Sequence, residues 1–180
     1  MFLENSDILL RQLEPEDLET LYIWENDVNI WSATNTIIPH SRYALKQYLE
    51  NSHKDIFETG QLRLMIEEKS TNRPIGTVDL FDFDPLNARV ALGVLIYAKT
   101  DRRQGFASAA MSLTVDYCFN ILQLHQVYCN VDENNTGSIK MLLNLCFEQA
   151  GIKKQWLKTG NGWKNEILFQ KINTVVSCQQ

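Results

Sequence analysis

From Arg102 to Ala110 the sequence reads Arg-Arg-Gln-Gly-Phe-Ala-Ser-Ala-Ala, following an apolar stretch, Val94-Leu95-Ile96-Tyr97, and a short polar loop. A strand that turns into a helix opening on small residues leaves the first backbone N–H groups of that helix unpaired. Those donors, with the positive end of the helix dipole, suit the oxygens of a phosphate. Gly105 lets the backbone be approached closely, Ala107 and Ser108 leave space, and Arg102 and Arg103 add charge for an anion. There is no G-x-x-x-x-G-K-[ST], which excludes a nucleoside-triphosphate P-loop, and no G-x-G-x-x-G to support a dinucleotide site. An ordinary βα turn has the same local shape, so this loop needs support from the rest of the chain.

The surrounding pattern supplies elements to hold it. Ile8–Leu13 reads as a strand, and Glu14-Pro15-Glu16-Asp17 as a helix start carried on by Leu18, Leu21, Tyr22 and Trp24. Asn26 to Ile38 lacks periodicity and reads as a loop; Ser41 caps a second helix containing Tyr43, Leu45, Tyr48 and Leu49. Strands are expected at Gln61–Glu67, Ile75–Phe83 and Arg89–Tyr97, then a helix at Gly105–Leu122 and a strand at Gln126–Val131. A helix over Ser138–Gln149 and a hairpin, Lys154–Thr159 with Trp163–Lys171 around Gly160-Asn161-Gly162, complete the chain. This order gives one mixed α/β domain over residues 1–180, with its core at 7–172 and a flexible tail at 173–180.

Composition narrows the function. The 180 residues are 44% hydrophobic and 22% charged, ordinary for a folded soluble protein. No apolar run approaches a membrane span, and the N-terminus carries acids where a secretory signal carries bases, so the expected location is the cytoplasm. The four cysteines, Cys118, Cys129, Cys146 and Cys178, form no C-x-x-C pair, and His40, His53 and His125 show no ligand spacing, so no metal is expected. Residues 1–84 carry 16 acids against 7 bases, and residues 85–180 carry 6 against 10. A pI near 5.2 argues against a nucleic-acid partner. The asymmetry suits a cationic partner on one side and an anionic one on the other, although acids decorating N-terminal helices would give the same count.

Arg102-x-x-Gly105-x-Ala107 resembles the R/Q-x-x-G-x-G/A loop of the GCN5-related N-acetyltransferases (GNAT), whose amides grip the pyrophosphate of acetyl-CoA. Asn135-Thr136-Gly137-Ser138-Ile139 resembles their N-x-x-[SA]-I stretch, and Thr159–Asn165 their terminal hairpin. The likeness is strongest to spermidine/diamine and ribosomal-protein N-terminal acetyltransferases. It implies a mostly antiparallel twisted sheet of about seven strands, splayed at strands 4 and 5 and flanked by four helices. It further implies acetyl-CoA as cosubstrate, a primary amine as acceptor and a homodimer or larger homo-oligomer. Val94, Leu95 and Ile96 would meet the pantetheine arm; Arg102, Arg103, Gln104, Gly105, Phe106, Ala107 and Ser108 the pyrophosphate; Asn135 and Ser138 the thioester end.

Such an enzyme must strip a proton from an ammonium group and protonate the departing thiolate. The tyrosine that serves the thiolate in the nearest relatives is replaced by Leu142, and their Gly-Phe after the helix by Cys146-Phe147. Ser138 is then the candidate proton donor, with Tyr128 and Cys129 behind it. An acid that polyamine enzymes carry corresponds to Ala91, which removes one cation contact. Glu25, Asp27, Trp31 and Glu50 fall in the segment that lines the acceptor pocket in relatives, where carboxylates beside an aromatic would suit an ammonium. Three readings follow: acetylation of a polyamine or other small amine, acetylation of a protein α-amine, or a CoA-binding regulatory module that has lost turnover.

Overall fold

The computed structural model describes residues 3–34, 36–160 and 162–174. Strand β1 (Ile8–Arg11) passes through a 3-10 turn at Pro15–Asp17 into helices α1 (Leu18–Glu25), α2 (Val28–Thr34), α3 (Arg42–Asn51) and α4 (Ile56–Thr59). Strands β2 (Leu62–Glu68), β3 (Arg73–Asp84) and β4 (Arg89–Ile96) follow, then a 3-10 turn at Lys99–Asp101 and α5 (Phe106–Asn120). The chain ends with β5 (Gln126–Asp132), α6 (Thr136–Asn144), β6 (Glu148–Thr159) and β7 (Gly162–Ile172). All seven strands share one sheet, ordered β1-β2-β3-β4-β5-β7-β6. Every neighbouring pair is antiparallel except β4 and β5, which α5 connects as a crossover.

Three departures from the sequence pattern have local causes. The segment expected to loop from Asn26 to Ile38 contains α2, held by its ends rather than by an apolar stripe. Asp27 accepts from the Asn29 N–H, and Asn26 exchanges two hydrogen bonds with the backbone of His40. The one-turn α4 forms because Asp55 caps Phe57 and Glu58 and Gly60 closes the other end with φ +70°. Helix α6 stops at Asn144, not Gln149, because Cys146 adopts φ +60°. Its N–H donates to Leu143 and that of Phe147 to Leu142, each at 3.0 Å, the paired closure usually built around glycine. The released chain starts β6 at Glu148, ahead of the expected Lys154. Asn161 of the hairpin turn, Cys178 and residues 175–180 of the expected tail lie outside the described residues. Asn173, counted with that tail, is buried; its N–H donates to the His125 carbonyl at 2.8 Å.

Two apolar clusters sandwich part of the sheet. The larger packs α4, α5 and α6 on one face through Ile56, Met111, Val115, Leu142 and Phe147 against Leu64, Val78, Leu92, Cys129 and Phe169. The smaller joins Leu13, Leu21, Leu45 and Leu49 to Met65 on the other face, so β2 is buried on both sides. That second cluster stops short of β4 and β5, where Leu95 and Tyr128 are half-buried and Asn130 is exposed. No helix among the described residues is long and apolar enough to cross a membrane.

β3 and β4 approach so closely at Gly76 that a Cβ there would sit 2.1 Å from the Leu95 carbonyl oxygen. Gly76→Ala therefore has to push the strands apart. A loss of roughly 1–3 kcal/mol, the usual overpacking range, is expected in urea unfolding, and an unchanged midpoint would contradict this packing.

Candidate active site

β4 and β5 pair over Arg89–Gln126, Val90–Val127 and Ala91–Tyr128 and then part. β3 stays beside β4 to Ile96, and the Tyr97 N–H donates to the Ile75 carbonyl at 3.0 Å. Along an antiparallel ladder alternate residues turn their polar groups to the same neighbour. Tyr97, Leu95 and Gly93 therefore turn to β3, while Ile96, Val94 and Leu92 turn to the opening. Val94 and Ile96 thus present backbone groups where the sequence placed them. Leu95 does not, and Leu92 takes its place. The Leu92 N–H is directed at the sulfur of buried Cys129 at the root of the fork.

The loop above the fork is fixed from below. Asp101 is buried and takes Arg73 through two hydrogen bonds of 2.8 and 3.1 Å. The Arg73 guanidinium holds the Asp101 carboxyl below the usual carboxylate range, against the opposing effect of desolvation. Arg102 folds back, its Nε donating to the Ile96 carbonyl at 2.9 Å and its Nη2 to Tyr97 at 3.0 Å. Gln104 donates to the Thr100 carbonyl, and exposed Arg103 turns the chain with φ +65°. Gly105 caps α5 with φ +91° and no side-chain cap. The helix's first backbone bond runs from the Ala109 N–H to Gly105, so the N–H groups of Phe106, Ala107 and Ser108 have no partner within it. A Cβ at Gly105 would meet nothing within 4 Å, so the glycine serves the turn and open access rather than packing.

Across the fork, Asn135 caps α6 by accepting the Ser138 N–H at 3.1 Å. Its amide N–H groups and the half-buried Ser138 hydroxyl remain to meet a ligand. Leu142 is 1% exposed and packs in the core with Phe147. Unpaired α5 amides, gap-facing β4 groups and the Asn135–Ser138 turn together fit a phosphate-bearing thioester with an extended amide arm.

This donor set agrees with the whole-chain match. Residues 7–148 match the acetyltransferase (GNAT) domain. The chain belongs to the GNAT acetyltransferase family. It is 30% identical over 152 residues to an uncharacterized N-acetyltransferase, p20, of Bacillus licheniformis, with 84% of each chain covered. It is 28% identical over 147 residues, 82% of each chain, to a spermidine N(1)-acetyltransferase of Vibrio cholerae. The fold superposes on a Vibrio cholerae spermidine N-acetyltransferase solved with CoA and spermine, with TM-score 0.83 and 23% identity over 94% of this chain and 98% of that one. The Vibrio cholerae enzyme has also been solved as a dodecamer, with TM-score 0.77 and 21% identity over 98% of this chain and 99% of that one.

In this GNAT chain the proposed acid–base groups differ in fitness. Burial pushes the Cys129 thiol up to about 12, well above an ordinary thiol near 8.5, because donating its proton would leave a thiolate buried in the core with no solvent to reprotonate it. Tyr128 lies on the open face beside Ala91, half-buried, and desolvation raises its phenol. The acceptor candidates are partly assembled. Trp31 donates to the Glu25 carbonyl at 2.9 Å, and Glu25 is clamped by Arg63, which also binds Asp79. Asp27 takes the Tyr97 hydroxyl at 3.0 Å, and Trp24 stacks on the Tyr97 ring at 5.0 Å. Desolvation and Asp27 push the Tyr97 phenol up to about 12, so it stays a donor. Asp27, Asn29, Tyr97, Lys99 and Arg102 line a cleft of about 250 Å³. Glu50 is exposed on α3 and does not line that cleft. No group of three or more potential metal ligands occurs among the described residues.

Arg63 and Asp79 face each other across β2 and β3, as do Arg73 and Asp101 across the loop, and none was singled out as a site residue. Charges inside the apolar runs Leu62–Ile66 and Ile75–Leu80 were the available signal for the first pair. The Asp101 pair carries a pH test. A carboxyl depressed in the folded protein adds stability above its unfolded value, about 3.9, and loses it as pH falls through the lower folded value. Asp101→Asn should lower the melting temperature at pH 6, and the two melting temperatures should converge as pH falls below about 4. A constant gap would separate the loss from the charge.

Proposed function

We propose that this protein transfers the acetyl group of acetyl-CoA to a primary amine, with a polyamine or diamine as the first acceptor class. The reading is carried by the α5 amides and gap-facing Leu92, Val94 and Ile96 groups converging on one fork, with carboxylates on its open face. Phe106–Ser108 and the Gly105 turn would hold the pyrophosphate, β4 the pantetheine arm, and Asn135 and Ser138 the thioester end. Glu25, Asp27 and Asp79 supply negative charge for the ammonium group, and the similarity to the spermidine acetyltransferases supports the acceptor class.

At pH 7 a primary amine of pKa about 10.4 is neutral in about one molecule in 2,500, a deficit of roughly 4.6 kcal/mol. Carboxylates on the open face give the released proton a route to solvent. The amine nitrogen attacks the thioester carbonyl, whose developing oxyanion is met by a backbone N–H of the fork. The C–S bond then breaks, and the Ser138 hydroxyl passes a proton to the thiolate while taking one from solvent in the open fork, in place of the absent tyrosine. A second reading, acetylation of a protein α-amine, is favoured by Leu142 lying in the core, because a serine donor then has to suffice. Kinship with the dodecameric enzyme supports a homo-oligomer, which light scattering tests.

Chromatographic detection of CoA release with spermidine, spermine, putrescine and an N-terminal peptide decides between acceptors. Turnover on a polyamine supports the first reading; turnover on the peptide alone moves the enzyme to the second. Ser138→Ala is expected to lower kcat about tenfold or more, and a loss under about threefold passes the proton role to Tyr128. Gly105→Asp, which sets a carboxylate against the pyrophosphate, should abolish acetyl-CoA binding in calorimetry while the protein remains folded. Unchanged affinity would discard the anion site.

A further inference from the structure

The end of β5 bears on the cofactor without touching it. Beyond Tyr128 it has lost β4, and β7 alone holds it, through Asp132 opposite Glu166. The chain must then turn so that Asn135 and Ser138 face β4 across an open gap. A strand supported on one side is free to tilt unless something beyond the ladder fixes its tip.

Lys164 Nζ reaches Asp132 at 2.9 Å, and the residue that reaches beyond the strand to Glu133 is Asn165. Its backbone N–H and its side-chain Nδ2 each donate at 2.8 Å to the two carboxylate oxygens of Glu133. The Glu133 N–H returns a bond of 3.2 Å to the Asn165 carbonyl. Asn165 is itself oriented from behind. Its Oδ1 accepts the Gln155 N–H at 2.9 Å, where β6 breaks register between Lys153 and Leu157 and Gln155 takes φ +50°. All three polar atoms of the Asn165 side chain and amide N–H are thereby engaged, and both oxygens of Glu133 with them. Glu133 lies two residues before the α6 cap.

We infer that Asn165, acting through Glu133, is a positioning residue for acetyl-CoA: the β6–β7 hairpin sets the width of the fork by fixing where Asn135 and Ser138 stand. The inference rests on the reading that those two residues meet the thioester end. It concerns cofactor affinity rather than the chemical step, because the polar atoms of Asn165 and Glu133 are taken up with each other and with Gln155.

Calorimetry with CoA separates this role from general support of the fold. Asn165→Ala is expected to weaken CoA binding about tenfold, the scale of one or two lost hydrogen bonds, and to raise KM for acetyl-CoA more than it lowers kcat. Lys153→Ala is the control, since it removes the ion pair to Glu166 and the bond to Asn130 in the same hairpin without touching Glu133. It should leave CoA affinity within about twofold of native. The double exchange Glu133→Gln with Asn165→Asp keeps every contact. The new amide donates to the new carboxylate, the residue-165 N–H still donates to position 133, and the Gln155 N–H keeps its acceptor. Affinity should return to within about threefold of native, which also answers the case in which Asn165→Ala does not fold. Equal losses in Asn165→Ala and Lys153→Ala, or no recovery in the double exchange, would overturn the positioning role while leaving the acetyltransferase reading standing. If the native protein binds no CoA, both fall.

Discussion

A strand that loses its neighbour half-way along its length must find other partners for its hydrogen-bonding groups, because buried backbone N–H and C=O groups are costly to leave unpaired. The parting of β4 and β5 after Ala91 and Tyr128 creates that demand. The remaining architecture answers it in pieces. Arg102 satisfies the Ile96 carbonyl, and the remaining gap-facing groups of Leu92 and Val94 stay open to an extended ligand. The core on the α5–α6 face keeps the two strands anchored below the fork, so the opening is built into the sheet and does not depend on a moving lid.

The loop above the fork and helix α1 are each tied to the sheet by ion pairs. Arg73 and Asp101 hold the loop to the start of β3, and Arg63 draws Glu25 of α1 onto Asp79 of β3. Such pairs add modest stability by themselves, but they set geometry where two elements have little apolar contact. That face of the sheet accordingly carries its carboxylates in a partly neutralised arrangement, with Arg63 shared between Glu25 and Asp79.

Much of this was legible in the sequence for physical reasons. Strand alternation in Gln61–Glu67 and Ile75–Phe83 and the small-residue start of α5 announce their elements because period and turn chemistry are local. The glycine at 105 marked the turn that leaves the first α5 amides open for the same reason. What escaped the sequence depends on distant contacts or on exceptions to local rules. α2 is held by Asp27 and by Asn26 reaching His40, not by a stripe. α6 is closed just past Asn144 by a cysteine in a conformation that favours glycine, so the apolar pattern alone runs on beyond the helix. The phase of β4, which turns Leu95 away and Leu92 inward, is decided by register with β3 and cannot be counted from β4 alone.

Tyr97 closes β4, lies stacked on Trp24 of α1, and gives its hydroxyl to Asp27 at the start of α2, while its own carbonyl accepts from Arg102. Helices α1 and α2 and the loop above the fork are therefore mechanically joined through one residue. Joined sites share their free energies: whatever occupancy of the loop does to acceptor affinity, occupancy by the acceptor must do, by the same factor, to the affinity of the loop.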